Sequence, residues 1–243
     1  MLLAIDTSTA LASVAVLDDE RLLVELTWQV GPRHSSELFT RIELAMGMAR
    51  LTPADLTGIA VASGPGSFNG LRVALSAAKA FAFARGLPVY AHPTLDVIAW
   101  GYASAGQPVW AVLDAGRGQV YCAHYPTPAT SAMGWGPLDG HHILTPEELA
   151  TRVTGTVLIC GEWRADTGQA LTSALGEHAH WAVPMAPRRA AWLGELARTR
   201  ATSGAADDIL HLEPLYLRRP AVTQSRRARM GKGIVSTAET PGE

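Results

Sequence analysis

The sequence predicts an α/β fold of two lobes in which one arrangement occurs twice. The order strand-strand-strand-helix-strand-helix-strand fits residues 2–91 and a similar order recurs over residues 109–202, and in each half the first strand ends in a carboxylate, Asp6 or Asp114. At 243 residues, 48% hydrophobic and 17% charged, the chain can bury the core of one large domain or of two small ones in close contact.

In the first half, Leu2 to Asp6 is a short apolar run, Leu11 to Leu17 is mostly apolar and β-branched, and Arg21 to Trp28 alternates in part. These read as three consecutive strands, with Asp18-Asp19-Glu20 as a polar turn between the second and third. Pro32 breaks the pattern. From an N-cap at Ser35 or Ser36, Leu38, Ile42, Ala45 and Ala49 recur at helical spacing, with Phe39 and Met46 beside them. Ile59 to Ala62 reads as a buried strand, the glycine-rich run after it as a turn, Leu71 to Arg85 as a helix, and Leu87 to Ala91 as a strand.

A helical stretch, Leu95 to Ala103, leads into the second half. Val109 to Leu113 and Gln119 to Tyr125 are expected to pair, and an irregular Gly/Pro-rich region follows. Thr145-Pro146-Glu147-Glu148 starts a helix: threonine caps, proline suits the first turn and the acids favour its positive end. Val157 to Cys160, Ala165 to Leu175, Trp181 to Val183 and Arg188 to Thr202 complete the half as strand, helix, strand and helix. This order describes the ribonuclease-H-like lobe that is duplicated in actin-like ATPases, with a ligand cleft between lobes beyond the carboxyl ends of the strands. The expected division is 1–105 and 106–219, followed by a basic tail, 220–243.

Composition narrows the function classes. The opening Met1-Leu2-Leu3-Ala4-Ile5 meets Asp6 at once, which does not fit a signal peptide, and no apolar run has the length of a membrane span. Cys122 and Cys160 lack Cys-x-x-Cys spacing and fit a reduced, cytoplasmic setting. No two of the eight histidines lie three or four residues apart, so no metal-binding helix face is expected. The net charge of −2 forces no polyanion-binding surface, although Arg218, Arg219, Arg226, Arg227, Arg229 and Lys232 follow one another without an intervening acid. A solvated tail is the leading reading of that segment and an RNA-contacting arm the alternative.

Asp6-Thr7-Ser8-Thr9 and Asp114-Ala115-Gly116-Arg117 occupy the places where an actin-type ATPase would hold Mg²⁺ and phosphates. The first loop has no glycine to bring its backbone close to a phosphate, and the second has isolated ones. Asp6 and Asp114 therefore read as turn caps or the lining of a vestigial cleft. Gly64-Pro65-Gly66-Ser67-Phe68-Asn69-Gly70-Leu71-Arg72 invites a nucleotide reading but lacks the Lys-Ser/Thr of a P-loop and the glycine spacing of a dinucleotide fingerprint. Its mechanical reading is a sharp turn at Gly64 and Gly66, a cap at Ser67 and close packing at Gly70. In the helix beyond, Asn69, Arg72, Ser76 and Lys79 fall within an arc of about 80° at 100° per residue. Nearly everything else is apolar, more than one sheet-facing stripe requires, so burial on two sides is expected, against either a partner or the second lobe.

The Gly64 to Arg72 run, together with Asp6-Thr7-Ser8-Thr9, Pro32-Arg33-His34-Ser35, Pro93-Thr94-Leu95, Asp114-Ala115, Val120-Tyr121 and Glu213-Pro214-Leu215-Tyr216-Leu217-Arg218, resembles the TsaB family over residues 2–219. That resemblance implies a non-catalytic subunit of the machinery that places threonylcarbamoyl on the adenosine next to the anticodon of tRNA. It implies a larger TsaD-type paralogue as partner, a TsaE-type ATPase as third member, contact with tRNA through the complex, and homodimers when the paralogue is absent. Docking is expected through the first two long helices, Ser36 to Arg50 and Leu71 to Arg85, with Leu38, Ile42, Ala45, Leu71, Leu75, Ala78 and Ala82 as the docking residues. No cofactor of its own is implied, and ATP or ADP is a candidate at the partner interface. The family's usual Gly-Ser-Phe-Thr-Gly is Gly-Ser-Phe-Asn-Gly here, and Gly116 and Gln119 replace an arginine and a glutamate that are often present. The competing readings are a free-standing actin-like ATPase or kinase and a glycoprotease-like peptidase.

Overall fold

The computed structural model describes residues 1–30, 34–127, 134–182 and 190–218. Pro32, Arg33, the side chains of residues 34–36 with the cap expected at Ser35 or Ser36, Val183, Arg188 and the tail 220–243 lie outside the described residues.

Strands β1 (Leu2–Asp6), β2 (Leu11–Leu17) and β3 (Leu22–Gln29) form an antiparallel meander, and β4 (Gly58–Gly64) and β5 (Val89–Pro93) add to β1 in parallel. Helices α1 (His34–Met48) and α2 (Phe68–Arg85) connect β3 to β4 and β4 to β5. The resulting strand order is β3-β2-β1-β4-β5. After α3 (Thr94–Trp100), the same order is built again from β6 (Val109–Gly116), β7 (Gln119–Tyr125), β8 (His142–Leu144), β9 (Val157–Glu162) and β10 (Ala179–Trp181), giving β8-β7-β6-β9-β10. Helices α4 (Pro146–Arg152) and α5 (Ala165–Leu175) occupy the places of α1 and α2, and α6 (Ala190–Thr202) follows. This is the duplicated ribonuclease-H-like fold. Strand β8, absent from the sequence reading, is three residues of mixed exposure, too short to show a period.

Each sheet is covered on both faces, and the period of two along the strands decides which residue meets which layer. Leu3 and Ile5 of β1, with Val14, Val16, Ile59 and Val61, face α1 and α2. Leu2 and Ala4, with Ala15, Leu17, Ala60 and Ala62, face Ala190, Leu193, Leu196 and Ala197 of α6. The small side chains on this second face let α6 lie close to the sheet, and Gly194 has no room for a Cβ against Leu17. In the second sheet, Trp110, Val112, Val120 and Ile159 meet Leu149 of α4 and Leu171 of α5. The other face, Val109, Ala111, Ala123 and Cys160, meets Leu95, Ile98 and Ala99 of α3.

The covering helices are thus exchanged in sequence. Helix α3 follows the first sheet and covers the second, whereas α6 follows the second sheet and covers the first. A cut at 105/106 separates the strands of the two sheets but not the helices that bury them. Among the described residues, no helix is long and apolar enough to cross a membrane.

Candidate functional site

The glycine-rich run packs directly on the end of β1. Ser67 is the N-cap of α2, its hydroxyl accepting from the Gly70 N–H at 3.3 Å. The Ser67 N–H donates to the Ser8 carbonyl at 2.7 Å, and the Thr7 hydroxyl donates to the Gly70 carbonyl at 2.7 Å. A Cβ at Gly66 would collide with the Ser8 carbonyl, and one at Gly70 with the Thr7 carbonyl. Gly64 sits at φ 113°, a conformation that L side chains rarely adopt. The glycines therefore serve backbone-to-backbone approach between the β1 exit and the start of α2. The Ser67 and Gly70 N–H groups, which a phosphate loop would turn towards its ligand, are taken up within the chain.

Asp6 is fully buried, and its Oδ1 accepts from the Ser8 N–H at 2.9 Å and the Ser8 hydroxyl at 2.7 Å. Asp114 makes the equivalent turn, its Oδ1 accepting from the Gly116 N–H at 2.7 Å. Its Oδ2 accepts from the Thr167 hydroxyl at 2.8 Å and from Arg164 Nε at 3.0 Å. Burial works against ionisation of Asp114, but Thr167, Gly116 and Arg164 together outweigh it and hold the carboxyl below its usual range. Between the lobes lies a cleft of about 600 Å³ bounded by Ser8, Thr9 and Ser67 on one side and Asp114, Trp163 and Arg164 on the other. Asp6 lies beneath this cleft rather than in its lining, so the two carboxylates do not face one another across it.

Arg164 escaped the sequence reading. It stands at the N-cap position of α5, as Ser67 does for α2, so superposing the two halves of the sequence would have found it. The C-terminal segment bridges the two halves. The Leu215 N–H donates to the Ser63 carbonyl at 2.7 Å, and Arg218 donates to the Ala115 carbonyl at 2.8 Å. Residues 215–218 thereby join the end of β4 in one sheet to the β6–β7 turn of the other. Arg218 also donates to Gln119, one of the two departures noted in that turn.

Both cysteines are buried, and burial raises the Cys160 thiol and pushes Cys122 up to about 12. His141 meets the buried Asp96 at 2.8 Å, and the Tyr125 hydroxyl donates to the same carboxylate oxygen at 2.8 Å. Among the described residues, no three His, Cys, Asp or Glu side chains converge as a metal site.

The helix residues expected to dock a partner lie elsewhere than on an open face. Leu38, Ile42, Ala45, Leu71, Leu75, Ala78 and Ala82 are all buried; six of them belong to the core between α1, α2 and the first sheet, and Leu71 packs beside Gly64. The surface left open carries different side chains. Phe39, Leu44 and Met48 of α1 are 48%, 47% and 60% exposed, and Phe83 of α2 is 63% exposed. Phe39 meets the half-buried Phe81 with ring centroids 6.4 Å apart, where the two helices touch.

The family described as TsaD, tRNA N6-adenosine threonylcarbamoyltransferase, matches residues 29–132. The chain is 31% identical over 124 residues to the tRNA threonylcarbamoyladenosine biosynthesis protein TsaB of Bacillus subtilis, a match that spans 51% of this chain and 54% of that one. It is 34% identical over 223 residues to an uncharacterized protein of Mycobacterium tuberculosis, covering 90% of this chain and 92% of the relative. The Escherichia coli protein of the same TsaB description is 28% identical over 225 residues, 89% of this chain and 94% of that one. The solved structure of YeaZ from Pseudomonas aeruginosa superposes with a TM-score of 0.75 at 26% identity, covering 89% of this chain and 99% of that chain.

Proposed function

The chain belongs to the TsaB family, and on that premise we propose that it is a non-catalytic subunit in threonylcarbamoyladenosine modification of tRNA. In this reading it acts in the cytoplasm by binding and supporting a TsaD-type transferase, together with a TsaE-type ATPase. Two copies pair through the same surface when the transferase is absent. ATP or ADP is held at the partner interface rather than in a site of this chain alone.

One observation carries the docking role: four large apolar side chains, Phe39, Leu44, Met48 and Phe83, stand open on two adjacent helices. Leaving large apolar side chains in water is unfavourable, by about 25 cal/mol per Å² of apolar surface, unless something covers them. The buried lines of α1 and α2 hold the helices on their own sheet, and the open side chains are left for docking. The engaged Asp6 and the filled β1 exit support the absence of independent phosphate chemistry.

Reconstitution of the modification with and without this chain tests the function. Adenosine modification is expected to need both this chain and the transferase, and the purified chain alone is expected to turn over neither ATP nor peptide. Full modification without the chain, or steady ATP turnover by it alone, would overturn the reading.

A further inference from the structure

The groove on the other edge of α2 has a chemistry that the docking surface does not share. Phe81, which meets α1, and Lys79 point roughly 160° apart at 100° per residue. On the Lys79 side, α2 and the segment 212–216 enclose about 380 Å³. Phe68 and Tyr216, 40% and 36% exposed, stand side by side with ring centroids 5.4 Å apart and a tilt of 32°. The Arg72 guanidinium lies over Phe68, 5.3 Å from the ring centre. Lys79 and Ser76 line the same groove, Leu75 forms part of its wall, and Glu213 is its acid. The polar stripe read in the sequence, from Asn69 to Lys79, thus continues into a pair of exposed rings.

We propose that this groove binds unpaired RNA, with a base stacked against Phe68 and Tyr216 and the adjoining phosphates held by Arg72 and Lys79. Partly exposed rings beside guanidinium and ammonium groups form the combination that holds single strands: every base has a face to stack, and the cations follow the backbone. A protein-docking patch requires no cations beside its apolar centre, whereas a phosphate chain does. The charge balance agrees. From Pro214 the sequence meets no acid before Glu239 and carries Arg218, Arg219, Arg226, Arg227, Arg229 and Lys232. The choice of RNA rests on the tRNA modification proposed above, but the binding itself requires no partner.

The experiment measures fluorescence anisotropy of the purified full chain with a short labelled oligouridine, with an RNA duplex of equal length, and with AMP as competitor. The single strand is expected to bind more tightly than the duplex and to resist AMP. Phe68→Ala and Tyr216→Ala should each weaken it about tenfold, the loss of one stacked base. Arg72→Gln and Lys79→Gln should each lower the salt slope by about one. Phe68→Leu keeps an apolar side chain at the start of α2, so its loss of binding with an unchanged melting temperature separates stacking from folding.

Four results would overturn the proposal: equal affinity for duplex, displacement by AMP, or unchanged affinity in all four groove variants with binding lost only in Arg226→Gln/Arg227→Gln, or groove variants that weaken association with the transferase while RNA binding stays intact. Because RNA binding is read on the isolated chain, failure of the docking reading leaves this result standing, and the reverse also holds.

Discussion

Asp6 and Asp114 end the first strands of the two sheets and make the same turn, each accepting from the backbone N–H two residues on, at 2.9 Å from Ser8 and 2.7 Å from Gly116. The halves share that geometry and then diverge. The first loop packs against the glycine-rich run, and the second carboxylate binds Arg164 and Thr167.

That packing makes Gly66 and Gly70 sensitive. Because a Cβ at either position meets a backbone carbonyl rather than a movable side chain, Gly70→Ala is expected to cost about 3 kcal/mol. Gly47→Ala, where nothing lies near the added methyl, should be neutral or slightly stabilising. Urea denaturation of the two variants measures the contrast, and similar stabilities would refute the packing role.

Open and buried lines of α2 are expected to respond oppositely to charge. Phe83→Glu should change stability by no more than about 0.5 kcal/mol and abolish association with the transferase in size-exclusion chromatography. Leu75→Glu puts a carboxylate into the core and should cost on the order of 4 kcal/mol, so the protein is lost rather than the interface. Association retained in Phe83→Glu removes this surface from the docking role.

Acid should act through His92. Burial, and then the nearby Arg200, lower it from 6.5 to about 4. It stays neutral when folded down to about pH 4, while the unfolded chain takes up the proton below 6.5. Stability is therefore held above pH 6.5 and falls as the pH drops towards 4, by roughly 3 kcal/mol from this group. His92→Leu should flatten the pH dependence of thermal unfolding across that window. An unchanged slope would show that His92 is not the group.

Asp207 ties α6 to the edge of the first sheet. It accepts from the Ala91 N–H at 2.6 Å and binds Arg200 through two hydrogen bonds of 2.9 Å. Asp207→Ala leaves the Ala91 N–H without its acceptor and Arg200 with only the Ala91 and Ala205 carbonyls, and should cost about 2 kcal/mol. Hydrogen exchange should then speed up at β5 and at the end of α6 while the second sheet is unaffected.

Strands β1, β2 and β4 were legible in the sequence because they are buried on both faces and bounded by charged or glycine-rich turns, as Leu2 to Asp6 and Ile59 to Ala62 show. Helix α4 was legible from its cap chemistry, and the structure pairs the Thr145 hydroxyl and the Glu148 side chain reciprocally. The faces of α1 and α2 were not. With alanine or a larger apolar residue at almost every turn, periodicity shows excess apolar surface but not which line meets the sheet, so Leu38 and Leu75 were read as docking residues where Phe39 and Phe83 are open. The contacts of Arg164 and Arg218 were not legible for another reason: each reaches a residue far away in the sequence, Asp114 and Ala115, where local pattern carries no information.

The exchange of α3 and α6 has a consequence for the order in which the molecule can be made. When β1 to β5 have left the ribosome, the face formed by Leu2, Ala4, Ala15, Leu17, Ala60 and Ala62 lacks most of its cover, because Leu193 and Leu196 are encoded about a hundred residues later. At roughly 5–20 residues per second the nascent chain carries that largely bare sheet for several seconds or more. The small size of its side chains, which lets α6 approach closely in the finished protein, also limits the apolar area exposed during that wait.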